Sequence, residues 1–268
     1  MATTTEFVSA EQKSFYDNEG YIILKDYLTP EETVLVASAI QEIREWPETK
    51  GKWMRYYENN VKTGERQLCR IENFTPFHEA LRNIILGEKV MTALEVLTGE
   101  PAVLFKEKIN FKMPGGGGFP AHQDAPAFTQ FGQSSHVTVM FGVDPFTIEN
   151  GCLWAVPKKH KLGVLPQEEK DGSISVEWCE KEEWVPLTCG PRDVLIFGAY
   201  LPHRSGPNNT EKNRTAVYLT YNAAREGDLR NTYYDEKRRL FPPAYEREQG
   251  IDYSQGGKTY NLATPIVD

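Results

Sequence analysis

The 268 residues are 40% hydrophobic, 25% charged and 12% aromatic, enough apolar material for one sizeable core. A net charge of -8 and a pI of about 5.3 offer no basic face, which argues against nucleic acid or an anionic membrane as partner; no run approaches the length of a membrane span. The N-terminus has no basic or apolar leader, and Cys69, Cys152, Cys179 and Cys189 form no CxxC pair, so free thiols and a cytoplasmic location are expected.

In chain order, Ser9 is placed to cap a short helix to Tyr16, Gly20 stops it, and 21–24 reads as a strand. Thr29-Pro30-Glu31-Glu32 is a helix start, with a capping hydroxyl, a first-turn proline and acids; Val34, Val36, Ala37, Ile40 and Ile43 follow on one face. Thr75-Pro76 repeats the signal, and helical patterns run in two pieces to about Leu97. Residues 1–100 are therefore expected to form a mostly helical flank, with 55–70 a long connection between helices. Strand-like text then begins at 103–112 and returns at 136–143, 184–187, 194–198 and 215–221, with Asn150-Gly151 as a turn. This pattern predicts a mainly β fold with flanking helices, a barrel or double-sheet jelly roll. One domain is expected over 1–268: a barrel core over about 101–222, then a charged and aromatic helix and tail over 223–268. The sequence carries no signature of oligomeric state.

The five histidines are His78, His122, His136, His160 and His203. His122-Gln123-Asp124 sets an imidazole and a carboxylate two apart, and on a strand such residues share a face, within reach of one metal. His203, after a strand-like run, can add a ligand from across a barrel. Two histidines and a carboxylate leave three octahedral positions open, as non-haem Fe(II) oxygenases need for O2 and a bidentate co-substrate. A His-x-Asp pair alone is more often a surface turn, and a second motif changes the balance. Arg214 follows His203 by eleven residues, beyond Gly206-Pro207-Asn208-Asn209, and a hairpin of that length would return it alongside His203. Its guanidinium can grip a carboxylate at two points, with the Ser205 hydroxyl beside it. Triad, serine and arginine together suit a dicarboxylic keto acid.

These motifs resemble the phytanoyl-CoA dioxygenase family, a branch of the 2-oxoglutarate oxygenases that also holds ectoine and aminophosphonate hydroxylases. The likeness runs from about Gly20 to Tyr221. It includes His122-Gln123-Asp124, the run Asn150-Gly151-Cys152-Leu153-Trp154-Ala155-Val156-Pro157, and His203-Arg204-Ser205-Gly206-Pro207-Asn208 closing on Arg214. Lys158-Lys159-His160 departs from the Pro-Gly-Ser-His common in the family. The resemblance implies a double-stranded β-helix, cupin-like, with iron at one mouth held by His122, Asp124 and His203. It implies Arg214 and Ser205 at the far carboxylate of 2-oxoglutarate, and Asn110 and Phe119 as further contacts to that co-substrate. Fe(II), 2-oxoglutarate and O2 are the implied cofactors, with succinate and CO2 released. Asp124 favours hydroxylation, because a halogenase of this class carries a small residue there. The text around Leu219-Thr220-Tyr221-Asn222 and Tyr233-Tyr234 resembles bacterial members near the 2-aminoethylphosphonate hydroxylases. The expected activity is hydroxylation of a small polar molecule, an aminoalkylphosphonate such as 2-aminoethylphosphonate being one candidate. A natural-product oxygenase is the alternative enzyme, and a non-catalytic 2-oxoglutarate or iron sensor the alternative of another class. A metal-free sugar-binding jelly roll would leave the triad and Arg214 as coincidence.

Arg55, Tyr56 and Tyr57, with Arg66, Gln67 and Arg70, cluster in the stretch that covers the iron mouth in this family. As a group they point to a small polar or anionic substrate. Arg55, Tyr57, Arg70 and Gln123 are the candidate contacts, although each singly also fits a bland surface loop. Gly115 to Gly118 lacks the Lys-Ser or Lys-Thr of a phosphate loop and reads as a flexible lead-in to the iron loop. His136 and His160 read as structural, His78 as exposed, and Lys161, Arg238 and Arg239 as solvated.

Overall fold

The computed structural model describes residues 7–261, 266 and 267. Over these the order is α1 (Ala10–Glu19), β1 (Tyr21–Leu24), α2 (Pro30–Glu45), β2 (Met54–Asn59), β3 (Arg66–Glu72), α3 (Glu79–Ile85), α4 (Glu88–Thr98), β4 (Ala102–Lys112), β5 (Phe119–His122), β6 (His136–Gly142), β7 (Leu153–Ala155), α5 (Val176–Glu180), β8 (Val185–Leu187), β9 (Val194–Gly198), β10 (His203–Ser205), β11 (Arg214–Ala223), α6 (Arg230–Leu240) and α7 (Ser254–Tyr260). Ser9 and Thr29 open α1 and α2 with full capping boxes, closed by the Gln12 and Glu32 side chains. α1 ends on Gly20 in the left-handed region, φ 84°.

The strands form two antiparallel sheets, ordered β1-β9-β6-β11-β4-β3-β2 and β5-β10-β7-β8. β11 is buried along its whole length, so both its faces must be covered. Val217, Leu219 and Tyr221 join Ile109 and Phe111 of β4 in the cluster shared with Ile40, Leu81 and Leu94 of the helices. Ala216 and Tyr218, with Met140 and Phe197, point the other way and pack on Leu153, Ala155 and Leu187 of the smaller sheet. The outcome is a jelly roll of two facing sheets with α2–α4 on the outer face of the larger. Among the described residues no helix is long and apolar enough to cross a membrane.

Several expectations are corrected. Residues 54–72 are a hairpin, β2 with β3, that extends the larger sheet past β4. Its arginines and glutamates hide the strand pattern because one of its faces looks onto a polar interior. β10 and β11 are not a hairpin: β10 pairs with β5 and β7, β11 with β4 and β6, and the chain crosses between sheets over 206–213. Fully buried Asn208 fastens that crossing, donating to the carbonyls of Lys112 (2.9 Å) and Lys212 (2.7 Å). The glycine run is pinned rather than flexible. Gly115 donates to Asn208 O, Asn208 to Gly116 O, and Gly117 to the Glu58 carboxylate. A Cβ on Gly116 would lie 2.9 Å from Met113 O, and one on Gly118 2.7 Å from Ser205 O, so both positions require glycine. Thr75-Pro76 forms only a 3-10 turn. α3 is instead capped by His78, whose Nδ1 accepts from Leu81 N, so this histidine is engaged. Arg238 pairs with the buried Glu246 carboxylate and is not merely solvated.

Candidate active site

β5 ends at His122, the direct cross-strand partner of His203 on β10, with ring centroids 4.2 Å apart. Asp124 is not on the strand, as the spacing had suggested. It adopts φ -73°, ψ -30° and starts a 3-10 turn anchored by Ala125 N on Ala199 O. The turn carries the carboxylate back to the imidazoles, Oδ1 lying 3.9 Å from His122 Nε2. One ligand atom from each of the three residues falls within 4.8 Å of the others.

The Nδ1 atoms of both rings donate to backbone carbonyls, His122 to Pro120 O at 2.7 Å and His203 to Leu201 O at 3.0 Å. A carbonyl only accepts, so the proton sits on Nδ1 and each Nε2 keeps its lone pair for a metal. Burial pushes His122 down to about 3 and lowers His203 as well, which keeps both neutral. Burial alone would raise Asp124, but His203, Lys108 and His122 outweigh it and hold the carboxyl well below the usual range. Two neutral imidazoles and a carboxylate make a donor set suited to Fe(II).

His122 and Asp124 border a small, partly open space of about 50 Å³, walled by Phe119, Phe128 and Tyr233 and by three basic side chains, Arg70, Lys106 and Lys108. Ala127 and Thr259 line both this space and an open cleft of about 770 Å³ outside it, which marks the way in. Lys106 Nζ lies 4.5 Å from the Phe128 ring centre, and Lys108 Nζ 5.1 Å from that of Tyr218. Neither lysine meets a carboxylate or hydrogen-bond partner among the described residues. Burial pushes both below the usual lysine value. Arg70 donates to Asn110 Oδ1 at 3.1 Å and to Glu72 at 3.4 Å, but Glu72 is held more closely by Lys237, at 2.6 Å.

At the other end, Arg214 is 2% exposed and donates to Gly151 O at 2.6 Å. Ser205 accepts from Lys112 Nζ at 2.9 Å. The Phe119 ring stands between Arg70, 6.0 Å away, and Lys112, 5.3 Å away. The fold thus gathers His122, Asp124, His203, Asn110, Phe119, Ser205, Arg214 and Arg70. It does not bring Arg55 or Tyr57 to the cavity: Arg55 donates to the carbonyls of Arg44 and Trp46, and Tyr57 to Glu48. Gln123 reaches the wall, but its amide is spent on Gly163 O, Tyr200 O and Leu165 N, tying the metal loop to its neighbours. The residues that sequence reasoning missed are Lys106, Lys108 and Lys112. Their signal was present in Lys106-x-Lys108-x-Asn110-x-Lys112, which puts four polar side chains on one face of β4.

A family model described as Phytanoyl-CoA dioxygenase (PhyH) matches residues 16–216. The chain is similar to the 2-aminoethylphosphonate dioxygenase of uncultured bacterium HF130_AEPn_1, 44% identical over 97% of this chain and 99% of that protein. It is also similar to the methylphosphonate hydroxylase of Gimesia maris, 42% identical over 84% of this chain and 85% of that one. Among solved structures, EctD from S. alaskensis with 2-oxoglutarate and 5-hydroxyectoine shares the fold. The TM-score is 0.70 and the identity 19%, over 84% of this chain and 80% of that chain.

Proposed function

This chain belongs to the phytanoyl-CoA dioxygenase family and is an Fe(II)- and 2-oxoglutarate-dependent dioxygenase, and we propose that it hydroxylates a small phosphonate, an aminoalkylphosphonate such as 2-aminoethylphosphonate. The observation that carries the substrate is the pair of lysines, Lys106 and Lys108, which face the cavity beside His122 and Asp124 with no carboxylate in contact among the described residues; Asp124 and Glu72 act on them only at a distance. Formal charges cancel over a bound dication, Asp124, the keto-acid dianion and Arg214, and Glu72 is balanced by Lys237. Lys112, when protonated, is offset by Glu58. Arg70, Lys106 and Lys108 remain, so the group that suits them is an anion, which would also favour the protonated form of both lysines.

In this reading His122, Asp124 and His203 hold the iron. Bound iron, with 2-oxoglutarate and O2, supplies the oxidation that turns C–H into C–OH as the keto acid becomes succinate and CO2. The chain's own residues do the positioning. Arg214 and Ser205 hold the far carboxylate of the co-substrate, while Asn110 and Phe119 shape its middle. Lys106, Lys108 and Arg70 take the phosphonate oxygens through charge-assisted hydrogen bonds, which fixes the C–H that faces the triad. Phe119, Phe128 and Tyr233 keep water from those bonds, which strengthens them.

The test is turnover of a panel of 2-aminoethylphosphonate, methylphosphonate, their carboxylate analogues and neutral natural-product scaffolds, read by succinate release and phosphorus NMR. A hydroxylated phosphonate formed in step with succinate is the expected result. Succinate release driven by a neutral compound, with none from any phosphonate, would replace this reading with the natural-product one.

A further inference from the structure

We infer that Lys112 is a further co-substrate-binding residue, forming with Arg214 a paired-cation seat for the far carboxylate of 2-oxoglutarate; the inference rests on the co-substrate reading above. Lys112 on β4 and Arg214 on β11 are direct cross-strand partners, and both are almost wholly buried. Like charges set opposite each other in an antiparallel pair repel, and burial makes the repulsion worse. Two such cations persist when a ligand supplies the opposite charge.

No carboxylate of the described chain supplies it by contact. Lys112 Nζ donates to Ser205 Oγ at 2.9 Å and Gly206 O at 2.5 Å, both neutral. The Arg214 guanidinium has Gly151 O, the Phe146 ring and the Tyr218 hydroxyl as neighbours, and its buried Nε has no partner. The acid nearest in effect is Glu58 on β2, whose oxygens already accept from Gln67 at 3.0 Å and Gly117 N at 3.1 Å. Ser205 completes the geometry. Its oxygen accepts from Lys112, so its own proton is free to point at an anion. Lys112 and Ser205 are thus in hydrogen-bond contact, with Arg214 and its unpartnered N–H as the cross-strand neighbour of Lys112, and a carboxylate suits all three donors.

The groups that bear on Lys112 are Arg214 from β11, Glu58 from β2, Cys152 ahead of β7, and Ser205 from β10. Burial and then Arg214 push its ammonium down to about 6, against the pull of Glu58. Near pH 7.5 the Lys112 amine of the ligand-free seat is therefore largely neutral beside the charged Arg214, and a carboxylate entering the seat draws a proton onto Lys112.

The discriminating ligands are 2-oxoglutarate and 2-oxopentanoate, which chelate through the same keto-acid end but differ in carrying or lacking the far carboxylate. Kd is read from the visible charge-transfer band of the anaerobic Fe(II) protein. Lys112→Met is expected to weaken 2-oxoglutarate by about 10- to 100-fold and to change 2-oxopentanoate by less than about 2-fold. Equal loss for both, or loss for neither, overturns the inference and makes Lys112 a tie between β4 and the 206 loop. Calorimetry of the wild type in two buffers of different ionisation enthalpy tests it without a variant. Proton uptake is expected with 2-oxoglutarate and not with 2-oxopentanoate, and equal uptake overturns it. A wild type that binds neither keto acid removes the co-substrate reading itself, an outcome distinct from a normal wild type with an unaffected variant.

Discussion

At the scale of single residues, the chemistry divides by what carries a pattern. The triad and Arg214 are legible because each joins an uncommon residue type to a fixed spacing. Lys106 and Lys108 are not, because a strand with one face in water also carries lysines at every second position. What makes them distinctive is placement: β4 lies between β11 and β3, and Lys106 and Lys108 on its even-numbered face look into the small space beside His122 and Asp124. Arg55 and Tyr57 show the converse. They lie in the same hairpin as Arg70 but on the other side of the pleat: Arg70 pairs with Tyr56, so Arg55 and Tyr57 on either side of Tyr56 face away, a register that a sequence does not reveal. This division has a kinetic consequence. Lys106→Met and Lys108→Met should each raise the phosphonate KM by about 10- to 100-fold, the worth of one charge-assisted hydrogen bond in a dry site. The Kd for 2-oxoglutarate should hold within about 2-fold. Arg55→Ala should leave the phosphonate KM unchanged. Succinate release against phosphonate concentration measures all three, and a KM that responds to Arg55 but not to the lysines would place the anion elsewhere.

At the scale of elements, caps and breakers gave α1, α2 and β1 in place, because their signals are local. The β2–β3 hairpin and the crossing from β10 to β11 were hidden, because pairing is decided by distant partners. α6 is a further case of hidden function: its text is almost wholly polar, yet it is a clamp. Lys237 reaches Glu72 at 2.6 Å, Arg230 reaches Glu107 at 2.6 Å, and the Tyr234 hydroxyl donates to Glu107 O at 2.9 Å. These contacts fasten the helix over β3 and β4, directly behind Arg70. Burial would raise the Glu72 carboxyl, but Lys237, Arg70 and Lys106 hold it down to about 2. Its folded pKa is thus below the usual 4.5, so its contribution is complete above about 4.5 and is lost as pH falls toward 2. Lys237→Met leaves that charge buried with only the longer Arg70 contact and the more distant Lys106, and should cost about 3–5 kcal/mol near neutral pH. Combining it with Glu72→Gln should recover part of the loss. Urea unfolding at pH 7 and pH 3 measures this; an equal cost at both would mean the helix is held by its aromatic residues and not by the ion pair.

At the scale of the whole molecule, strand spacing was enough to give two facing sheets with helices outside, and the electrostatics of the interior were the part that stayed hidden. A chain of net charge -8 keeps Arg70, Lys106, Lys108, Lys112 and Arg214 on the inner side of one sheet. Empty, that interior is under electrostatic strain, and the strain has a pH signature. Lys112 is pushed from its usual 10.5 to about 6 in the folded protein, so between those values the unfolded chain binds a proton that the folded one does not. Stability of the ligand-free protein attributable to Lys112 therefore rises as pH climbs from about 6 toward 10.5, and is lost as pH falls. Other groups titrate in the same window, so the informative quantity is the difference between wild type and Lys112→Met. Thermal unfolding of the metal-free protein at pH 6.5 and pH 9 should show the variant gaining on the wild type at the lower pH, where giving up the Lys112 proton on folding costs most. Saturating 2-oxoglutarate should reverse that order, because the co-substrate stabilises only the state whose cations it neutralises. Parallel melting curves for the two proteins at both pH values, with and without 2-oxoglutarate, would mean that Lys112 carries no charge that folding or binding has to accommodate.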